Sequence, residues 1–234
     1  MHSRSLLFLC TFFLLQISLS AQFVFGWTGG YGSPRELNRE IYIYNAINGA
    51  LKKEMPQVHW FQGPVIGFRA GGDGGYVELL YHRKRTLVAS EFDSSNVAMR
   101  RELKVLYNTW NLGFGYNPNG WGIGTSIDAG RFKGKGRRGP EETIGDQDFK
   151  KLWVTNKTRM LGIAVYQLSL AQTVWVERSF GPATLRFYFQ FPWMRSQMEV
   201  LDYWLFGGQL NYKTYSVDRF VNFGTSLTIK LGKK

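Results

Sequence analysis

The stretch Thr184–Trp193, which reads TLRFYFQFPW, decides the fold expected of this chain. Successive side chains of a β-strand point to opposite faces, so one face of this stretch is apolar and largely aromatic, and the other carries Arg186 and Gln190. The aromatic face is too large for a surface in water, and a dry core would bury Arg186 and Gln190 only with polar partners. A strand with lipid on one side and the polar interior of a barrel on the other meets both demands.

Other segments repeat this alternation. In residues 221–231, apolar side chains alternate with Asn, Gly, Ser, Thr and Lys, and in residues 121–128, larger side chains alternate with Gly, Ser and Asp. Glycine and serine on the inward face suit a narrow barrel, where large side chains from other strands need room. The chain is therefore predicted to be all-β, an antiparallel transmembrane β-barrel of about eight strands, with eight to ten as the range.

The first 21 residues have the pattern of a signal peptide. Arg4 supplies a positive charge, ten largely apolar residues follow at 6–15, and a small residue stands at the expected cleavage point after Ala21. Ten apolar residues are too few to span a bilayer as a helix. Residues 22–234 contain no cysteine, so an exported chain would be stabilised by its core or by lipid and not by disulfides.

The chain is strongly basic, because Lys and Arg outnumber Asp and Glu by 29 to 17. A surplus of this size predicts attraction to anionic surfaces, although it is also compatible with a simply solvated surface. An exported chain rarely meets nucleic acid, so no nucleic-acid partner is expected. The phosphate groups of lipid are the expected counter-charge.

One amphipathic helix is predicted near the N-terminus, over about Pro34–Glu54. Ser33, Pro34 and Glu36 form a helix start, and apolar residues then recur at helical spacing. This helix could plug a barrel, lie on the membrane surface or pack against the barrel mouth, and we favour the last. The expected organisation is a signal peptide at 1–21, an N-terminal segment with this helix at 22–59, and the barrel at 60–234.

Two later segments complicate the strand count. Residues 133–158 are polar and charged and predict a loop, and the apolar phase of residues 159–176 shifts by one position near Val165. Such a shift indicates a bulge or a break into two strands. Counted back from a periplasmic C-terminus, the predicted strands place the 133–158 loop in the periplasm, where connections are usually short. Either this loop is unusual or one strand after it is miscounted.

These glycine- and aromatic-rich alternating strands resemble those of the outer-membrane β-barrel proteins of Gram-negative envelopes, in the small porin-like or OmpA/OmpX-like class. Examples are WGIGTSIDAG at residues 121–130 and VNFGTSLTIKLG at residues 221–232. The resemblance covers about Phe61–Leu231 and the signal peptide, and it points to a class without a specific family. It implies location in the outer membrane, contact with outer-membrane lipid and lipopolysaccharide, and insertion by the barrel-assembly machinery.

No catalytic site, cofactor or metal is expected. The mature chain has two histidines, His59 and His82, which are too few for a histidine-rich metal site. Barrel enzymes that deacylate lipid A pair a histidine with a serine two residues later, and outer-membrane proteases use paired aspartates with an Asp–His couple; neither pattern occurs here. Glu78 and His82 share a strand face but would lie about 13 Å apart, too far for direct acid–base chemistry.

The densest basic cluster is interleaved with glycine, and its members are Arg131, Lys133, Lys135, Arg137 and Arg138. On an extracellular loop, these cations could bind the phosphates of anionic lipid or lipopolysaccharide, because several cations can share a multivalent phosphate. The alternative is a mobile, solvated loop.

Charged residues on inward faces are expected to form ion pairs inside the barrel and not a transport path. These residues are Glu78, Asp128, Arg186, Lys213 and Lys230. An eight-stranded barrel is filled by its own side chains, so a wide pore is not expected.

The expected function is that of an integral outer-membrane protein with a structural, adhesion or accessory role and no catalysis. Three alternatives stay open. The first is a membrane enzyme acting on lipid A or peptide at a barrel rim, and the second is a narrow channel or solute-binding barrel. The third is a soluble, secreted, lipocalin-like barrel that binds an apolar ligand, in which the aromatic faces would point inward.

Overall fold

A computed structural model describes residues 21–72, 74–160, 163–166, 169–193, 196–200, 216–218 and 220–232. The first 20 residues of the predicted signal peptide lie outside this part of the chain. The described elements include one helix, α1 (Arg35–Ile47), and a short 3-10 helix at Ile144–Asp146. The strands are β1 (Gln22–Gly32), β2 (Leu51–Lys53), β3 (Trp60–Gly72), β4 (Gly75–Ser94), β5 (Val97–Tyr116), β6 (Trp121–Pro140), β7 (Lys150–Met160), β8 (Ile163–Tyr166), β9 (Ser169–Phe180), β10 (Ala183–Pro192), β11 (Ser196–Val200), β12 (Ser216–Asp218) and β13 (Asn222–Leu231).

Eight of these strands close into a ring of antiparallel hydrogen-bonded pairs. Around the ring they follow the order β1, β3, β4, β5, β6, β9, β10 and β13, and β13 pairs with β1 to complete it. The predicted antiparallel, mostly β architecture is confirmed. The ring begins earlier than predicted, because β1 pairs with both β3 and β13 although the sequence placed it in a separate N-terminal segment.

The two ends of the ring differ. At one end, which we call the turn end, tight turns join β3 to β4, β5 to β6 and β9 to β10, and the start of β1 lies beside the end of β13. Gly74, Gly120 and Gly181 adopt positive φ in these turns, a conformation that glycine accepts without steric cost. At the other end, the extended end, β4, β5 and β6 run on to twenty residues each, whereas the other ring strands have ten to thirteen.

The prediction of a loop over residues 133–158 is wrong. Residues up to Pro140 complete β6, and β7 begins at Lys150, so only about nine residues connect the two strands. β6 pairs with β9 over residues 121–130 and with β7 over residues 133–136. This connection lies at the extended end, with the turn that joins β4 to β5. The strand count from the sequence had placed residues 133–158 at the opposite end, beside the C-terminus, and that placement is wrong. The predicted phase shift near Val165 falls in β8, which pairs with β7, whereas β9 pairs with β6 and β10. Residues 167 and 168 between these two strands lie outside the described part of the chain.

The helix α1 packs across the inner face of the extended end. Its buried side chains Leu37, Ile41 and Tyr44 join a hydrophobic cluster with inward residues of the long strands, including Val88, Leu103, Val105 and Phe132. This position at the mouth of the ring is the one favoured from the sequence. The helix ends at Ile47 and not near Glu54, because Asn48 and Gly49 support helix poorly, and Leu51–Lys53 instead form β2 against β4. None of the described helices has the length and apolar character needed to cross a bilayer.

The faces of the ring have the polarity that the alternation predicts. Large apolar side chains point outward and are exposed, and buried polar side chains point inward. We call the exposed surface the apolar band; one representative from each ring strand is Trp27, Ile66, Leu79, Leu112, Ile123, Val176, Phe187 and Leu227.

Inward glycines make room for large side chains from neighbouring strands, as predicted. A Cβ atom added to Gly113 would lie 2.9 Å from Cη2 of Trp175, and one added to Gly124 would clash with the same ring. Trp175 of β9 therefore occupies the space that glycine leaves on β6 and β5, the next two strands of the ring.

Candidate functional site

The outward face of β4, β5 and β6 changes from apolar to basic at one register position. Tyr81, Trp110 and Ala129 are neighbours across the three strands and form the last apolar row. Toward the extended end, the next three rows carry six cations, which we call the basic face: Arg83, Arg85, Lys104, Arg131, Lys133 and Lys135. Strands from two hairpins thus place cations that are distant in sequence on one surface.

The structure brings together three of the five predicted site residues. Arg131, Lys133 and Lys135 belong to the basic face, on a strand and not on a loop. Arg137 points to the same side, but its Nε donates to Oε2 of Glu102 at 2.8 Å and its Nη1 donates to the carbonyl oxygens of Gly145 and Gln147. It therefore fastens the 3-10 segment to β6. Arg138 has the opposite phase along β6, where it is paired with Arg101 of β5.

Arg83, Arg85 and Lys104 were missed in the sequence analysis. The sequence did predict a strand over residues 76–90, and Arg83 and Arg85 lie in it on the same face as Tyr81. The outward position of these two arginines could therefore be predicted from residues 81–85. Their partnership with β6 depends on the register of two hairpins, which composition does not supply.

The cations of the basic face lie close enough to affect each other. Partial burial lowers the pKa of Lys104, and the neighbouring charges of Arg85, Lys135 and Arg83 lower it further. None of the six cations forms an ion pair with a residue in the described part of the chain. A multivalent anion bound here would relieve this repulsion, and phosphate is an anionic group that both arginine and lysine bind.

The ring interior near the turn end holds a network of four buried charges. Arg69 donates from Nη2 to Oε2 of Glu78 at 2.8 Å and from Nη1 to Oε1 of Glu177 at 3.2 Å. Arg186 donates from Nη1 to Oε1 of Glu78 at 2.6 Å and from Nη2 to Oε2 of Glu177 at 2.9 Å. Two arginines and two glutamates thus share four ion pairs, so Arg186 and Glu78 form ion pairs inside the ring, as expected of the inward charged residues.

Asp128 lies deeper in the ring and has a different environment from the one expected. Its carboxylate accepts hydrogen bonds from four neutral side chains, Asn111, Ser126, Thr173 and Gln190, and not from a cation in the described residues. Lys213 lies outside the described residues, and Lys230 is half-buried at the end of β13.

A cavity of about 20 Å³ lies beside this site, and His82, Lys84, Trp175 and Tyr188 are among the residues that line it. It has room for about one water molecule. Lys84 donates from Nζ to the hydroxyl of Tyr188 at 2.9 Å, while the carboxylate of Glu78 is held by the two arginines. The two arginines thus occupy both carboxylate oxygens of Glu78, and His82 is not among the hydrogen-bond partners of Glu78 in the described residues.

Aromatic side chains fill the ring between this polar region and the helix. The rings of Tyr107 and Phe132 stack with centroids 4.2 Å apart, and Phe220 packs edge-on against Phe132 at 4.7 Å and against Phe61 at 5.1 Å. Along the ring axis, the interior thus passes from the four-charge network to the polar region around Asp128 and then to the aromatic layer, and Lys84 lies in register with Tyr107 of that layer.

Within the described part of the chain, no group of three or more His, Cys, Asp or Glu side chains is arranged to hold a metal ion. A scan against protein-family models and a search of the curated proteins both find no match.

Proposed function

We propose that this protein is an integral outer-membrane protein with a structural, adhesion or accessory role, and that its ring of eight strands spans the bilayer. The observation that carries the proposal is the polarity of the ring. Leu227 and Phe187 are 53% and 54% exposed on the outside, whereas Glu78, Glu177 and Asp128 are at most 2% exposed on the inside. Water would penalise the large exposed apolar surface on the outside, whereas lipid favours it, and the polar side chains inside find their partners within the ring.

Strand length and connectivity support the same proposal. The strands β1, β9, β10 and β13 have ten to twelve residues, close to the nine to eleven that a tilted strand needs to cross the hydrocarbon. Short connections lie at the turn end and long ones at the extended end, which matches the periplasmic and extracellular ends of outer-membrane proteins. The extended end, with α1 and the basic face, would then lie outside the cell.

The same observations bear on the alternatives. The outward aromatic faces favour a membrane protein over a lipocalin-like carrier, whose apolar faces would point inward. The charged network and the aromatic layer fill the ring, which favours a closed interior over a channel. The charge of the basic face is complementary to a partner with phosphate groups. Lipopolysaccharide in the outer leaflet carries such groups, and in this orientation they would lie beside the extended end.

The proposal is tested by fractionating cells that make the tagged full chain and by electrophoresis of the membrane fraction with and without boiling. We expect the protein in the outer membrane, with a band that migrates differently after boiling because the closed ring resists detergent. A protein found in the periplasm or the medium would contradict the proposal.

The contribution of the basic face is tested by the triple replacement Arg131→Gln, Lys133→Gln and Lys135→Gln. Each cation near a charged lipid surface contributes about 1 kcal/mol, so we expect the affinity of the purified protein for lipopolysaccharide to fall roughly a hundredfold. Native mass spectrometry of lipopolysaccharide titrations measures the change. The matched control replaces Arg39, Lys52 and Lys53, exposed cations outside the basic face, and should change affinity little. Equal losses in both triple variants would contradict a specific role for this face.

A further inference from the structure

Arg178 is a charged side chain within the apolar band. On the outward faces of the eight ring strands, it is the one described charged residue between the turn end and the basic face. It lies two residues before the end of β9, beside Trp121 of β6 on one side and Leu185 of β10 on the other. An outward arginine costs several kcal/mol at the bilayer midplane but almost nothing near the interface, and the turn end is the interface.

Two aromatic rings hold the guanidinium group of Arg178. Its Cζ lies 4.9 Å from the ring centroid of Trp121 and 5.7 Å from that of Phe180. The described residues give this guanidinium neither a hydrogen bond nor an ion pair. Aromatic contacts of this kind orient a guanidinium while leaving its N–H donors available to an anion.

A groove of about 290 Å³ opens beside this side chain on the outer surface. Its walls are Trp121, Val176, Arg178, Phe180, Leu185 and Phe187, with Glu177 of the inward network beneath. Leu185 in this lining is half-buried, and along β10 it is followed on the same face by the exposed Phe187. An apolar groove beside one oriented cation is complementary to a molecule with an acyl chain and an anionic head.

We propose that this groove is a phospholipid site. The phosphate of a glycerophospholipid in the leaflet at the turn end binds Arg178, and one acyl chain lies along Val176, Leu185 and Phe187. Guanidinium binds phosphate through paired N–H donors, and the interface is the depth at which that phosphate lies. This inference rests on the proposed membrane function and adds a site that the basic face, at the opposite end, does not include.

The test uses the full chain, purified in detergent and titrated by native mass spectrometry with phosphatidylglycerol and with a diacylglycerol that has the same acyl chains. We expect Arg178→Gln to weaken phosphatidylglycerol binding about tenfold and to leave diacylglycerol binding unchanged, because only the phosphate contact is lost. Leu185→Trp fills the groove and should weaken both lipids. Arg39→Gln, on the exposed face of α1, is the matched control and should bind both lipids as the unaltered chain does.

Equal affinities of the unaltered chain and Arg178→Gln for phosphatidylglycerol would overturn the inference. So would displacement of the lipid by an equal concentration of inorganic phosphate, which would mean that the groove contributes nothing. If either result came from a protein that fractionates with the outer membrane and is heat-modifiable, this inference alone would fail. A protein that fractionates as soluble would defeat the proposed function as well.

Discussion

Replacing Glu78 with glutamine is expected to lower the free energy of unfolding by about 3–5 kcal/mol, the range for breaking a buried ion pair by removing one partner. The change keeps the shape of the side chain and removes its charge. Arg69 and Arg186 would then share the single carboxylate of Glu177, and the new amide would present donors to guanidinium groups that are themselves donors. The cost arises from an uncompensated buried cation and not from a lost contact area.

The measurement is the midpoint of unfolding in urea, followed by the heat-dependent band shift in electrophoresis. Glu36→Gln is the matched control, because Glu36 pairs with Arg39 at 3.7 Å on the exposed face of α1 and exposed pairs contribute about 0–1 kcal/mol. A Glu78→Gln protein that unfolds within about 0.5 kcal/mol of the unaltered chain would contradict the view that the four-charge network stabilises the ring.

The fold was predictable where period-two alternation separates apolar from polar side chains. Residues 184–193 and 221–231 show it clearly, because most of their apolar side chains lie on the outer face and their polar side chains mainly in the buried interior. The strand at 133–140 was mistaken for a loop because its two faces differ in another way. Over residues 133–136, lysine on the outward face alternates with glycine on the inward face, so hydrophobicity has no period there.

The candidate sites were less predictable because they depend on register. Ser95 and Asn96 both have positive φ, at 52° and 64°, which is the two-residue turn that sets the pairing of β4 with β5. That pairing places Arg83 opposite Asn108 and, through β6, beside Arg131. The four-charge network is even harder to predict from the sequence, because Arg69 and Glu177 are 108 residues apart and meet only when the ring closes. No sequence pattern around Arg178 indicates a binding site. The site becomes visible only when the strand register places Arg178 between Trp121 and Leu185.

Leu227→Arg and Leu87→Arg are expected to differ in stability although the two leucines are alike in water exposure. Both side chains point outward and both are 53% exposed, but Leu227 lies mid-strand in the apolar band, whereas Leu87 lies on β4 among the cations of the basic face. An arginine on the lipid face near the bilayer midplane costs about 2–4 kcal/mol, so Leu227→Arg should lower the free energy of unfolding in lipid vesicles by that amount. Leu87→Arg adds a charge to a solvated surface, where substitutions usually change stability by less than about 0.5 kcal/mol.

The comparison isolates the solvent that surrounds the ring. In water, both leucines would be ordinary exposed apolar residues, and arginine at either position would change stability little. Small and equal effects of the two substitutions would therefore mean that water, and not lipid, covers the apolar band. A loss of stability confined to Leu227→Arg requires two different surroundings. The medium around residue 227 must exclude a guanidinium group, and the medium around residue 87 must solvate one. Among the surroundings of an exported protein, a bilayer with a charged interface has both properties.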